Sequence, residues 1–344
     1  MLGAILLVGE RRLGHQSADF AADRLLPLAG PPFACMEILG SSLLERTLSR
    51  FHAAGIERLS VLVQESTLDS ASNCQRLIQS SMCQVVADLG PALATLLQQY
   101  AQSGVDDAFV TDLSAYSECD LAALASFHRA GGRPSTAAFN REGALGLWVI
   151  DCKKVSDDYA EINPDRLDAQ SSTYFVHEYA RRMTEPADIR ALVIDAFKGR
   201  NQVRPSGVET RPGVWLDENS EVHKRARIVA PAYIGRGAEI CEDTVVTRFS
   251  NIEKECCVDY GTVIENSSVL MSSYVGIWLD VSHAVIQGNT FFSVSRNVAL
   301  TISDPSVIRE NFSRQKEGYE SIKSAIASTP IAVAAAEVLG KSMF

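Results

Sequence analysis

Between Val222 and Leu270 an aliphatic residue returns at every sixth position: Val222, Ile228, Ile234, Ile240, Val246, Ile252, Val258, Ile264 and Leu270. An α-helix turns once in roughly 3.6 residues, so such a set would spiral around it, and one alternating strand cannot run this far without turning. Short strands joined by turns satisfy the pattern. Each strand places one aliphatic side chain in a shared interior, as in hexapeptide-repeat parallel β-helices. The small and polar residues between them fall at corners and on the solvent face, and Gly235, Gly237 and Gly261 suit corners because glycine tolerates positive φ. A run of about fifty residues makes only a few coils, so both ends need cover from other parts of the chain.

The chain before the repeats follows a different rule. "AILLVG" predicts a buried strand, and "SLLERTLSRFHAAGIERLSVLV" predicts a helix with Leu43, Leu44, Leu48, Phe51 and Ala54 on its apolar face, closed by Gly55 and followed by a strand. "LIQSSMCQVVADL" and a helix around Ala92 to Tyr100 continue the alternation, and "DAFVTDLSAY" predicts a buried strand ending at Asp112. "CDLAALASFHRAGG" predicts a helix closed by glycines, "ALGLWVIDCKKV" a strand, "YFVHEYARRM" a short helix, and "EPADIRALVIDAFKGR" a firmer one. The order defines an α/β Rossmann-like domain, in which ligands lie beyond the carboxyl ends of the strands. The Pro- and Gly-bearing "NQVRPSGVETRPG" marks a linker. The predicted organisation is an α/β domain over 1–205, a repeat domain over 210–303 and a helical extension over 304–344.

With 32 basic and 42 acidic residues the chain has a net charge of −10, and no basic block argues for nucleic acid as a partner. The apolar start is too short to cross a bilayer, as is "PIAVAAAEVLG", so no membrane span is expected. Eight cysteines without a CxxC pair fit reduced, mostly buried thiols in a cytoplasmic protein. His223 and His283 in the repeats invite an acyltransferase reading, because a neutral imidazole between coils can act as a general base.

Taken together, "AILLVG", "PFACMEILGSSLLERTLSRFHAAGIERLSVLV", "VTDLSAYSECDLAALASFHRA" and the hexapeptides resemble a sugar-1-phosphate nucleotidyltransferase with a C-terminal left-handed β-helix, of the mannose-1-phosphate guanylyltransferase or glucose-1-phosphate thymidylyltransferase type. The resemblance covers most of the chain and is weakest over 134–183. It implies that a nucleoside triphosphate and a sugar 1-phosphate, with Mg2+, give a nucleotide sugar and pyrophosphate. It further implies that Gly9 belongs to the phosphate loop and that Asp112 is the catalytic and metal-binding aspartate. Arg11, Arg12 and Arg24 are the candidates to pair with phosphate.

The chain also departs from that family. Glu10 stands near the phosphate turn, Phe33 occupies the position of a phosphate-neutralising lysine, and Glu37 that of a proline. The second metal carboxylate has no recognisable match, although Asp158, Glu161, Asp165 and Asp168 lie in the corresponding region. Two functions therefore stand side by side: a nucleotidyltransferase with weak or remodelled activity, and a catalytically inactive homologue that senses a nucleotide sugar or serves as a regulatory or scaffold subunit of an active paralogue. The short repeat stack, with open edges and ends, also predicts a homo-oligomer.

Overall fold

The computed structural model describes residues 1–9, 33–67, 82–154 and 171–311. Its first part is built around β1 (Leu2–Val8), whose unbroken apolar run is buried along nearly its whole length, as a central parallel strand requires. A small hairpin, β2 (Glu37–Ile38) and β3 (Ser41–Ser42), leads into the helix Leu43–Ala53. Ser42 starts that helix with a reciprocal capping box: its hydroxyl accepts from the Glu45 amide while the Glu45 carboxylate accepts from the Ser42 amide. The chain continues through β4 (Arg58–Gln64), β5 (Cys83–Val86), the helix Leu89–Gln102 and β6 (Asp107–Thr111). Then come β7 (Ala115–Ser117), the helix Leu121–Gly131, β8 (Ser135–Asn140), β9 (Gly143–Asp151), β10 (Ser172–Phe175), β11 (Ala180–Arg182) and the helix Pro186–Phe197.

Seven strands form one mixed sheet in the order β10-β8-β9-β6-β1-β4-β5. β6, β1, β4 and β5 run parallel, and β9 is antiparallel to both β6 and β8. One face packs Phe51, Leu44, Phe109 and Val149, and the other packs Leu93, Leu97, Tyr100 and Trp148. From β1 the chain winds outward through β4 and β5 and then returns to β6 on the opposite side of β1, which puts a topological switch point between β1 and β6. The helix expected over "YFVHEYARRM" is absent. β10 pairs with β8 and β11 with β7, so pairing with strands distant in sequence overrides the local helical pattern.

The second part is a predominantly parallel β architecture in which the chain visits three sheets in rotation. Val214–Leu216, Glu221–Val222 and Arg227–Ile228 open the three sheets, and Ala232–Ile234, Glu239–Ile240 and Val245–Thr247 follow one circuit later. Over the first circuits each residue pairs with the one eighteen positions on, Val214 with Ala232, Ala232 with Ser250, Ile240 with Val258, and in the later ones with the one seventeen on, as Val258 with Val275 and Ile264 with Val281. Ile234, Ile240, Val246, Ile252, Val258 and Ile264 are completely enclosed in one interior, with Ile228 close behind and Val222 packed at its edge. The ninth position departs from the period. Ile252 pairs with Val269, one residue early, so Val269 fills the interior while Leu270 packs in the core shared with the first part. Of the expected corner glycines, Gly237 and Gly261 take positive φ. Gly235 does not, but a Cβ there would lie 2.7 Å from the Glu253 carbonyl carbon and the Lys254 amide, so it serves close approach between coils.

Antiparallel strands flank the parallel ones. Val208–Arg211 borders the first sheet, Thr290–Ser293 and Val298–Thr301 extend its other side, and Ile308–Glu310 pairs with Ser273–Val275. Residues 312–344 of the expected extension lie outside the described residues. No described helix is long and apolar enough to cross a membrane. Cys35 is disulfide-bonded, against the expectation of uniformly reduced thiols, because spacing along the chain does not reveal which cysteines the fold brings together. Cys83, Cys119, Cys152, Cys241, Cys256 and Cys257 are free.

The shared interior makes a direct prediction. Ile240→Ala should lower stability by about 2 to 5 kcal/mol, since a stack of short strands around the side chain cannot readily collapse. A urea titration read by circular dichroism checks it; a loss below about 0.5 kcal/mol, the range of surface substitutions, would mean that the stack does not depend on the six-residue set.

Candidate functional site

Parallel strands of an open α/β sheet expose their carboxyl ends on one side, and the crevice at a switch point is where such sheets take ligands. Gly9 follows β1 directly, and Asp112 follows β6. The two residues suggested by the sequence therefore flank the β1/β6 switch point. A Cβ on Gly9 would lie 2.7 Å from Leu89 Cδ1 and 2.8 Å from Gln64 Oε1, so a larger residue would disturb the packing of β4 and the helix Leu89–Gln102 there. Arg11, Arg12 and Arg24 lie outside the described residues, as do Asp158, Glu161, Asp165 and Asp168.

The turn after β6 fixes Asp112 closely. Thr111 Oγ1 accepts from the Leu113 amide at 3.1 Å, Asp112 Oδ1 accepts from the Ser114 amide at 2.9 Å, and the Asp112 amide donates to the Gly146 carbonyl at 3.1 Å. Leu113 takes a φ of 56°, a left-handed conformation that a bulky residue holds only in a firmly fixed turn. On β9, Gly146 has φ 59°, and a Cβ there would overlap both Asp112 Oδ1 and Ser114 Oγ. The glycine is thus the space into which the carboxylate fits.

Among the described residues no group of three or more His, Cys, Asp or Glu side chains is placed to hold a metal ion. Asp112 supplies one carboxylate. Magnesium is commonly held by one or two carboxylates together with phosphate oxygens, so this donor fits a nucleotide-borne Mg2+ rather than an all-protein cage.

Phe33 begins a short 3-10 turn, Phe33–Cys35, and packs half-buried against the first core. It borders a small cavity with Ile38, Leu43, Arg46, Tyr116, Met183 and Leu192. The nearby cation of Arg46 is engaged by the hairpin, donating to the Ile38 carbonyl at 2.8 Å. Position 33 is part of the packing.

Sequence reasoning missed a polar junction between the two parts. Arg190, buried on the helix Pro186–Phe197, donates through Nη1 to Asn251 Oδ1 (2.9 Å) and Ser268 Oγ (2.7 Å), and through Nη2 to the Phe249 carbonyl (2.8 Å) and Asn266 Oδ1 (3.0 Å). Burial pushes its guanidinium down to about 9. Asn251 in turn donates to Glu253 Oε1 at 2.6 Å. Glu253 is wholly enclosed and also accepts from the Leu39 amide (2.7 Å, Oε1) and the Gly40 amide (3.1 Å, Oε2) of the hairpin. Burial drives its carboxyl up to about 7, partly offset by these donors. The available signal was an arginine among Ile189, Leu192, Val193 and Ala196, and a glutamate directly after the interior Ile252.

Compared with known proteins, the chain matches no family model, and no curated protein matches it.

Proposed function

We propose that the first part is a nucleotide-binding domain of the sugar-1-phosphate nucleotidyltransferase type, joined to a left-handed parallel β-helix with three six-residue sides per coil. The observation that carries the reading is Asp112, locked against Gly146 at the β1/β6 switch point opposite Gly9. There the carboxylate stands at the strand ends, the side of such a sheet on which a triphosphate would lie, and Mg2+, when bound with the nucleotide, would supply charge neutralisation between Asp112 and the phosphate oxygens. Phe33 favours a particular form of this reading. An aromatic ring that borders a cavity with Ile38, Leu43 and Met183 cannot donate to a leaving pyrophosphate, and loss of one such donor costs roughly 3 to 4 kcal/mol in the transition state. The protein accordingly binds a nucleoside triphosphate or nucleotide sugar and turns it over weakly.

The test incubates the full chain with Mg2+, each common nucleoside triphosphate, and mannose 1-phosphate or glucose 1-phosphate, measuring pyrophosphate and nucleotide sugar together. The expected result is saturable binding with slow product formation that Asp112→Asn reduces at least tenfold. Absence of binding to every nucleotide and nucleotide sugar would sink the reading. Binding without product would assign the sensor role.

A further inference from the structure

The eight-stranded sheet of the second part ends on two edges of different character. One is the strand Val208–Arg211, which carries Glu209 and Arg211 and a shift of register between them, and charge and irregularity of this kind keep an edge from pairing. The other is the strand Val298–Thr301, exposed throughout and free of charges, proline and register shifts. In its antiparallel ladder with Thr290–Ser293 the Ile302 amide donates to the Asn289 carbonyl, so the backbone groups of Leu300 and Val298 also turn inward. Those of Ala299 and Thr301 turn outward, and among the described residues no strand lies beyond them. Val298 and Leu300 stand opposite Ser293 and Phe291, on the face where Phe291 and Ile302 pack against the interior of the stack, yet they are 45% and 51% exposed.

We propose that two copies of this chain pair through the Val298–Thr301 edge, antiparallel about a two-fold axis at Leu300, so that the sheet of one copy continues into the other. Backbone, side chains and charge each select that axis. In an antiparallel pair, residues whose N–H and C=O face outward must stand opposite one another. The axis at Leu300 sets Ala299 against the partner's Thr301 and Thr301 against the partner's Ala299, so every outward group of the strand is bonded. An axis at Ala299 instead sets Thr301 against the partner's Asn297, which at φ 52° has left the strand conformation. An axis between the two residues sets outward groups against inward ones.

The side chains agree with the backbone. Opposite residues of an antiparallel pair share a face, and the axis at Leu300 puts Leu300 against the partner's Leu300 and Val298 against the partner's Ile302, an unbroken aliphatic stripe. Charge agrees as well. Arg296 precedes the strand and Asp304 follows it, both exposed, and the same axis brings each Arg296 to the register position of the partner's Asp304, whereas a parallel pair would set like charges together. Ser306 donates to Asp304 through its amide (2.9 Å) and its hydroxyl (2.6 Å), both on Oδ1, which leaves Oδ2 for the guanidinium. The pairing is independent of the nucleotide site.

Sedimentation velocity of the full chain over a concentration series tests the pairing. The expected result is a monomer–dimer equilibrium with half-association between about 1 and 100 µM, the range of a small interface. Ala299→Pro removes an N–H that faces away from the chain's own ladder, so it should weaken the dimer at least tenfold with an unchanged circular dichroism spectrum. Leu300→Lys and Leu300→Glu should each do the same, because each sets two like charges opposite one another at the axis. An equimolar mixture of those two variants should dimerise again, since a lysine then faces a glutamate. A chain that stays monomeric at about 300 µM, well above the range of such an interface, would overturn the proposal, as would a dimer that none of the three substitutions weakens, which would place the contact elsewhere, residues 312–344 included. If the mixture associates no better than either variant alone, the axis at Leu300 is wrong and the proposal falls with it. Should Ala299→Pro fail to fold, the charged pair decides by itself, because both substitutions are at an exposed side chain.

Discussion

Arg190→Ala is expected to lower stability by about 3 to 5 kcal/mol, because it removes a buried cation whose partners then remain enclosed without their donor. Four acceptors are involved: Asn251 Oδ1, Ser268 Oγ, the Phe249 carbonyl and Asn266 Oδ1. They belong to two successive coils, in which Asn251 and Ser268 are direct partners, so one guanidinium ties a helix of the first part to two coils of the second. Asn251 and Ser268 are themselves fully enclosed, so their oxygens lose the guanidinium with no bulk solvent beside them. Arg190→Lys should recover little of the loss, because an ammonium is a point charge and cannot span four acceptors as a planar fork does. Trp215, which lies 5.6 Å from the Phe197 ring at the end of the same helix, gives a fluorescence reporter for the junction. An Arg190→Ala protein whose unfolding midpoint matches the wild type within error would show that the junction does not hold the two parts together.

The second large effect is expected at Gly146. Gly146→Ala must adopt a φ of 59°, at a cost of about 1 to 2 kcal/mol for a residue with a Cβ, and must also displace Asp112 Oδ1 and Ser114 Oγ, so a total loss of about 2 to 4 kcal/mol is expected. Its functional consequence is sharper than its stability cost. Moving Asp112 off its turn should weaken nucleotide binding as much as Asp112→Asn does. A double-mutant cycle separates the two contributions: in an Asp112→Ala background part of the overlap is relieved, so the alanine at 146 should cost about 1 kcal/mol less than in the wild type. Additive effects would mean that Gly146 and Asp112 act independently and that the turn is not shaped around the carboxylate.

Much of the architecture was legible because it depends on local, repeated constraints. The six-residue aliphatic set predicted a common interior, and the apolar runs "AILLVG" and "DAFV" predicted buried strands whose ends carry Gly9 and Asp112. The slip at Val269 was not legible, since Val269 and Leu270 are both aliphatic and only pairing with Ile252 selects which one faces inward. "YFVHEYARRM" was misread for a related reason: β10 and β11 owe their conformation to pairing with β8 and β7, which lie outside any local sequence window, and that pairing outweighs propensity.

By itself, then, the sequence determined the period of the repeats, the alternation of strands and helices before them, and the strand-end positions of Gly9 and Asp112, all of which follow from patterns within a few residues. Only the tertiary structure decided that Gly146 makes room for Asp112, that Phe33 is a packing residue, and that Arg190, Asn251 and Glu253 join the two parts. Those roles are set by partners far apart in the chain: 61 residues separate Arg190 from Asn251, and 214 separate Glu253 from Leu39. A buried charge is tolerated only where folding has already assembled its donors and acceptors, and no local pattern records that assembly.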